Sequence, residues 1–205
     1  MIPAMTPPEV HSYLYHLGKS WTGDGSALEL GSWLGASAVP MARGLSSVGY
    51  DLPFWMFDRW RADRNQVELA SKFGQRLTIG QDTVGICAQN VKCEYEQIRC
   101  VKGELPGILS EYDGNKIEFA IFDAPKRNPV FIDCMRTLEP LFIPGITVLG
   151  LLDFYSYLKS DEAEIDPRRA PVEFITGHTD HFKNIMEWPG LCSCAFFKYL
   201  KPVEW

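Results

Sequence analysis

No run of roughly 18 apolar residues that could cross a bilayer occurs in this sequence, and it holds no Cys-x-x-Cys pair, no internal repeat, no low-complexity tail and no basic excess. Each absence removes a class of function. Without an apolar span there is no transmembrane segment to place, and no membrane partner is expected. The six cysteines, at 87, 93, 100, 134, 192 and 194, carry no histidine spacing that would build a zinc site, so most are expected to be reduced core thiols. The opening Met1-Ile2-Pro3-Ala4-Met5-Thr6-Pro7-Pro8 lacks the basic-then-apolar order of an export leader, from which a cytoplasmic protein is expected. Acidic residues outnumber basic ones, 26 to 20, for a net charge of −6. A surface that tracks phosphates concentrates Lys and Arg to release counterions, so nucleic acid is not an expected partner.

What remains is an ordinary globular composition, 46% hydrophobic and 22% charged over 205 residues. That length suffices for one α/β domain with a buried core and is short for two, so residues 1–205 are expected to form a single domain. Residues 1–20 contain an N-terminal helix, from Thr6 to Leu17, with Val10, Leu14 and Leu17 at helical spacing. A first strand then delivers Ala27-Leu28-Glu29-Leu30-Gly31-Ser32-Trp33-Leu34-Gly35-Ala36-Ser37, which is the most informative stretch of the chain. Its two glycines let backbone approach a ligand without Cβ interference, and a helix is expected from Ala36 to about Gly44. Ser46 to Tyr50 makes a second short strand closing on Asp51, an acidic residue at the spacing where a ribose hydroxyl pair would be held.

Further on, Phe54, Trp55, Phe57 and Trp60 cluster beside Asp58, Arg59, Arg61 and Arg64. Residues 52–78 are read as a lid or substrate wall, with an amphipathic helix packed on the core as the alternative. Asp82 or Thr83 caps a helix to about Cys93; Gln97 to Lys102 is strand-like and followed by Gly103-Glu104. Ile117 to Phe122 is a buried strand ending in Asp123-Ala124-Pro125-Lys126. A helix follows from Phe131 to Phe142, and a strand from Ile146 to Leu152 ends in Asp153. After the polar stretch from Lys159 to Arg169, Phe182 to Trp188 and Ser193 to Leu200 flank Pro189-Gly190 as a closing hairpin. Alternating strands and helices imply a mostly parallel sheet covered on both faces. Ligands of such sheets bind beyond the carboxyl ends of the strands, where Glu29, Gly31, Asp51, Gly103, Asp123 and Asp153 are all expected to converge.

The dinucleotide fingerprint Gly-x-Gly-x-x-Gly is absent. The loop instead runs Glu29-x-Gly31-Ser32-x-x-Gly35-x-Ser37, which resembles the first motif of class I S-adenosylmethionine-dependent methyltransferases, nearest to small-molecule O-methyltransferases of the macrocin and cephalosporin-biosynthesis type. Over about residues 10–200 that resemblance implies a Rossmann-like fold: a seven-stranded, mostly parallel sheet with a C-terminal antiparallel hairpin and helices on both faces. It implies S-adenosylmethionine as cofactor, held by Glu29, Gly31, Ser32, Gly35 and Ser37 on the methionine side, by Asp51 at the ribose and by Gly103 and Glu104 near the adenine, with Asp123 also lining the cofactor. Asp123-Ala124-Pro125-Lys126 resembles the Asp-Ala-x-Lys segment of cation-dependent members. This implies Asp123 and Lys126 as catalytic residues and Mg2+ on Asp123 with Asp153 as second carboxylate.

Two departures from the cation-dependent pattern stand in the sequence. Ile146 replaces the second glycine after Pro144, and Leu152-Asp153-Phe154 replaces a paired acidic ending, so Asp153 is read either as a metal ligand or as a helix cap. His178, in Gly177-His178-Thr179-Asp180-His181, is held in reserve as general base, its alternative being a solvated loop histidine. The acceptor is expected to be a small-molecule hydroxyl, of a sugar or secondary metabolite, in a pocket built by the N-terminal helix, segment 52–78 and loop 154–181; a homodimer is allowed for. Two rivals stand beside this reading. A methyltransferase-like binding or regulatory module without catalysis is one; the Tyr155-x-x-x-Lys159 spacing of short-chain dehydrogenases carries the other.

Overall fold

A computed structural model describes residues 2–163, 165–190 and 192–205. Met1, Glu164 in the polar stretch and Leu191 in the hairpin turn lie outside the described residues. The chain runs α1 (Pro8–Lys19), β1 (Ser26–Leu30), α2 (Ala38–Ser47), β2 (Phe54–Asp58), α3 (Arg64–Lys72), α4 (Val84–Lys92), β3 (Ile98–Lys102), β4 (Ile117–Phe122), α5 (Val130–Leu138), β5 (Val148–Leu151), α6 (Ala170–Gly177), β6 (Phe182–Trp188) and β7 (Cys194–Tyr199). The strands form one seven-stranded sheet in the order β3-β2-β1-β4-β5-β7-β6. All neighbours are parallel except the pairs that β7 makes with β5 and β6.

Strand side chains alternate between two apolar layers. On one face Leu28, Leu30, Ala120 and Phe122 pack against Phe131, Met135 and Leu138 of α5 and Phe174 of α6. On the other, Ala27, Phe54, Met56 and Ile121 meet Leu14 of α1, Met41 and Leu45 of α2 and Val91 of α4. Helix α1 lies backbone to backbone on α2. A Cβ on Gly44 would stand 2.2 Å from the Tyr15 carbonyl oxygen, and one on Gly18 2.5 Å from that of Met41, so only hydrogen fits at this crossing. Among the described residues no helix is long and apolar enough to cross a membrane.

Strands β3, β4 and β5, helix α4 and the closing hairpin lie where the sequence places them. The second strand does not. Ser46 and Ser47 belong to the last turn of α2, and β2 is Phe54–Asp58, inside the segment read as a lid. A parallel strand covered on both faces carries apolar residues continuously rather than alternately, and Phe54, Trp55, Met56 and Phe57 are all buried. The lid reading is therefore corrected for β2, which belongs to the sheet. The order turns back between β1 and β4, and this reversal opens a crevice at their carboxyl ends.

Candidate active site

Backbone bonds bring four strand ends together. Gly31 N–H donates to Phe57 O at 2.7 Å, while Asp123 and Ala124 N–H both donate to Leu30 O at 2.8 and 2.9 Å. Gly31 has φ +98, and a Cβ there would meet Ala124 N at 2.5 Å; glycine is thus required both by conformation and by the neighbouring loop. Gly103 N–H closes the fourth end on Asp58 O at 3.0 Å.

Asp58 ties the loops after β1 and β2. Its two carboxylate oxygens accept from Trp33 N–H at 2.9 Å and Trp60 N–H at 2.6 Å. The Trp60 indole donates to Trp33 O at 2.9 Å. Both tryptophans adopt left-handed backbone, φ +40 and +42, a conformation that persists for bulky residues only where surrounding bonds enforce it. Burial raises the Asp58 pKa, and the two N–H donors oppose that rise.

Beneath the glycine loop, Glu29 points from β1 toward the start of α2 and accepts from the Ser37 hydroxyl. Its other oxygen and the Ser32 hydroxyl are buried without a hydrogen-bond partner among the described residues. Burial pushes the Glu29 pKa from 4.5 to about 7 against the Ser37 hydroxyl, because a buried carboxylate loses its hydration there. Burial likewise raises Asp123, with Lys126 opposing.

At the far end, Lys126 pairs with Asp153 and lies 3.3 Å from Asp123 Oδ1. Burial would lower the Lys126 pKa, but the two carboxylates outweigh it and hold the ammonium protonated. The cation implied by the sequence resemblance does not fit this donor set. Lys126 already occupies the space between Asp123 and Asp153, the following residue is Phe154, buried in the core, and no group of three His, Cys, Asp or Glu side chains comes together among the described residues.

These elements enclose a cleft of about 510 Å³. Gly31, Ser32, Ser37, Gly103, Glu104, Asp123 and Lys126 line it. Glu29 lies under its floor, Gly35 faces Val91 and Cys87 of α4, and Asp153 reaches the cleft through Lys126. Two expected residues lie elsewhere. Asp51 is exposed and precedes β2, at the amino-terminal edge of the sheet, away from the cleft that Asp58 lines. His178 ends α6 with Nδ1 2.7 Å from Phe174 O. The next strand starts at Phe182 opposite Tyr199, beside the first residues of β5, so His178 is on the edge opposite the cleft and the structure does not bring it together with the residues that line it. Tyr155 bonds Glu187 of β6 and lies outside the cleft lining. Thr6, Trp33, Asp58 and Arg59 also line the cleft, though none is singled out in the sequence as a site residue; Asp58 and Arg59 are read there only as part of a lid or substrate wall, and the end of the Phe54–Phe57 apolar run is the available signal for Asp58.

No family model and no curated protein sequence matches the chain. Solved structures do. Cofactor-bound Rv0187 from MTB superposes with a TM-score of 0.68 at 16% identity, over 98% of this chain and 84% of that one. The O-methyltransferase TomG from Streptomyces achromogenes, involved in tomaymycin synthesis and solved with S-adenosylmethionine, gives 0.62 at 16% identity over 97% and 82%. CalS11, the TDP-rhamnose 3'-O-methyltransferase of calicheamicin biosynthesis, gives 0.59 at 14% identity over 92% and 76%. The chain has the class I methyltransferase fold. In that methyltransferase fold the cleft described above sits at the topological switch point, framed by the loops after β1, β2, β3 and β4.

Proposed function

We propose that the chain is an S-adenosylmethionine-dependent methyltransferase that acts on a hydroxyl of a small molecule. One observation carries this reading: the Gly31 loop, Asp58, Gly103-Glu104 and Asp123 converge on a single 510 Å³ cleft. The cofactor fits the residues present. Asp58 has lone pairs left for a ribose hydroxyl pair, and the Ser32 hydroxyl on the cleft wall, without a hydrogen-bond partner among the described residues, is a polar group that a bound amino-acid moiety would satisfy. When bound, the cofactor supplies an electrophilic methyl group on a sulfonium.

Transfer to a hydroxyl yields a methyl ether, a neutral thioether and one proton, so the site must dispose of that proton. Lys126, held protonated by its two carboxylates, donates toward the acceptor oxygen and stabilises its developing negative charge. Asp123, whose pKa burial raises, is the neighbouring carboxylate that takes the proton. No step requires a divalent cation. The methylation of oxygen draws its support from the neighbours TomG and CalS11; a cytoplasmic protein, free of nucleic acid and with a homodimer allowed for, completes the proposal.

Calorimetric titration with S-adenosylhomocysteine, with NAD as control, tests the reading. Micromolar binding of the first alone is expected. Binding of neither moves a non-catalytic module to first place, and binding of NAD alone returns an oxidoreductase.

A further inference from the structure

A second cavity, of about 470 Å³, opens beside the cleft. Carbon dominates its wall: Ile2 and Ala4 from the N-terminal arm, Pro8 at the start of α1, Val39 and Pro40 on α2, and Phe73 just beyond α3. Two of the three segments expected to build an acceptor pocket, the N-terminal helix and 52–78, thus contribute, whereas the described residues of loop 154–181 do not. Thr6 and Ala36 line both cavities. The two spaces therefore share a wall there, one residue from Ser37 of the glycine loop.

Polar groups in this wall are few and their state is defined. Thr6 Oγ1 and His11 Nε2 lie 2.8 Å apart, and burial lowers the His11 pKa, so the imidazole is neutral near pH 7 and can exchange hydrogen bonds with a hydroxyl. Arg43 spends its charge outside the cavity, with Nη2 at 2.6 Å and Nε at 3.0 Å from the Glu94 carboxylate. An ionic or polyhydroxylated ligand would give up its hydration here with one polar pair to replace it. A cavity of this size and lining suits a compact, mostly apolar molecule with one polar anchor.

We propose that the second cavity holds the apolar body of the acceptor, an uncharged compound of the phenol class, with its hydroxyl turned past Thr6 into the cleft that Lys126 and Asp123 line. The proposal rests on the methyltransferase reading and narrows it, favouring an aromatic or alicyclic alcohol over a sugar.

The test uses the full chain saturated with S-adenosylhomocysteine and titrated with 2-naphthol or with methyl glucoside. Wild type is expected to bind 2-naphthol at least about tenfold more tightly than the glucoside. Phe73→Lys, at a 37% exposed position on the cavity mouth, and Val39→Trp, which fills the space, should each weaken 2-naphthol about tenfold or more while leaving S-adenosylhomocysteine within about twofold. Absent 2-naphthol binding, equal binding of the glucoside, or 2-naphthol binding unchanged in a folded variant overturns the assignment. Phe73→Lys decides the matter alone if Val39→Trp does not fold. Should S-adenosylhomocysteine not bind at all, the cofactor reading fails and takes the acceptor role with it, which is distinguishable from loss of the naphthol arm alone.

Discussion

The Lys126 ammonium bonds the Asp153 carboxylate, 27 residues away, and stands 3.3 Å from Asp123 Oδ1. One lysine thus joins the loops that leave β4 and β5, and the positive charge between two carboxylates is a side chain of the chain itself. Asp153 takes left-handed backbone to reach it, φ +72, which an aspartate tolerates better than most residues.

Removing that ammonium separates its two roles. Lys126→Met leaves two carboxylates facing each other, but all three side chains are about one-third exposed, so solvent limits the cost to about 1 kcal/mol. Turnover should fall about 100- to 1,000-fold, the loss of one electrostatic donor, with S-adenosylhomocysteine affinity unchanged. Paramagnetic resonance of added Mn2+ should show free ion with wild type and bound ion with Lys126→Met, and chelator should leave wild-type cofactor binding as it was.

Asp58 and Asp51 make a matched pair for the ribose assignment. Asp58→Asn keeps the shape but replaces one acceptor oxygen of the Trp33 and Trp60 bonds, and cofactor affinity should fall about tenfold or more, the worth of a charge-assisted bond. Asp51→Asn, at the other edge, should leave it unchanged. Calorimetric titration of both variants checks the pair, and the reverse result would return the ribose to Asp51.

Glu29 gives the fold a pH signature. Its folded pKa of about 7 lies above the ordinary 4.5, so the folded state binds more protons than the unfolded one between those values. Stability attributable to this group is greatest below pH 4.5, declines as pH rises toward 7 and stays reduced above it, by about 3 kcal/mol in total. Glu29→Gln, uncharged throughout, should gain on wild type across that window and keep a constant margin above pH 7. Urea unfolding at a series of pH values reads the difference; a constant difference from pH 4 to 8 contradicts the buried-proton account.

Glu139 anchors the C-terminal segment. Its buried carboxylate accepts from the Tyr199 hydroxyl, from Val203 N–H at 2.8 Å and from the Trp205 indole at 3.3 Å. Trp205 also stacks on Phe174 with ring centroids 5.4 Å apart and lies under the Arg136 guanidinium. Glu139→Ala strands these donors and should cost about 2 to 4 kcal/mol in urea unfolding, with cofactor affinity unchanged because the clasp is remote from the cleft.

The sequence made the sheet legible where composition and period agree. Ile117 to Phe122 and the Gly31 loop carry their own punctuation, and the Pro189-Gly190 turn marks the hairpin. Phe54–Asp58 escaped because a doubly covered strand rich in aromatics has no alternation, and the neighbouring arginines draw the eye to a solvent-facing helix instead. Misplacing that strand moved the acidic candidate with it, to Asp51 before β2 instead of Asp58 at its carboxyl end. His178 escaped for another reason. Nothing local tells a loop histidine on which edge of a sheet its helix will end; that is set by β6 pairing with β7, a long-range choice. The cavity proposed for the acceptor was only half legible, since its walls come from four separate segments: the N-terminal arm, α1, α2 and the residue after α3.

That crossing has a metric consequence. With hydrogen alone at Gly18 and Gly44, the helix that carries His11 and the helix that carries Val39 sit at the shortest separation that two backbones allow. The width of the space between them is therefore calibrated by two positions that never touch its contents: a methyl group at Gly44 would lever α1 outward, and the bore of the cavity would change without any alteration to its lining.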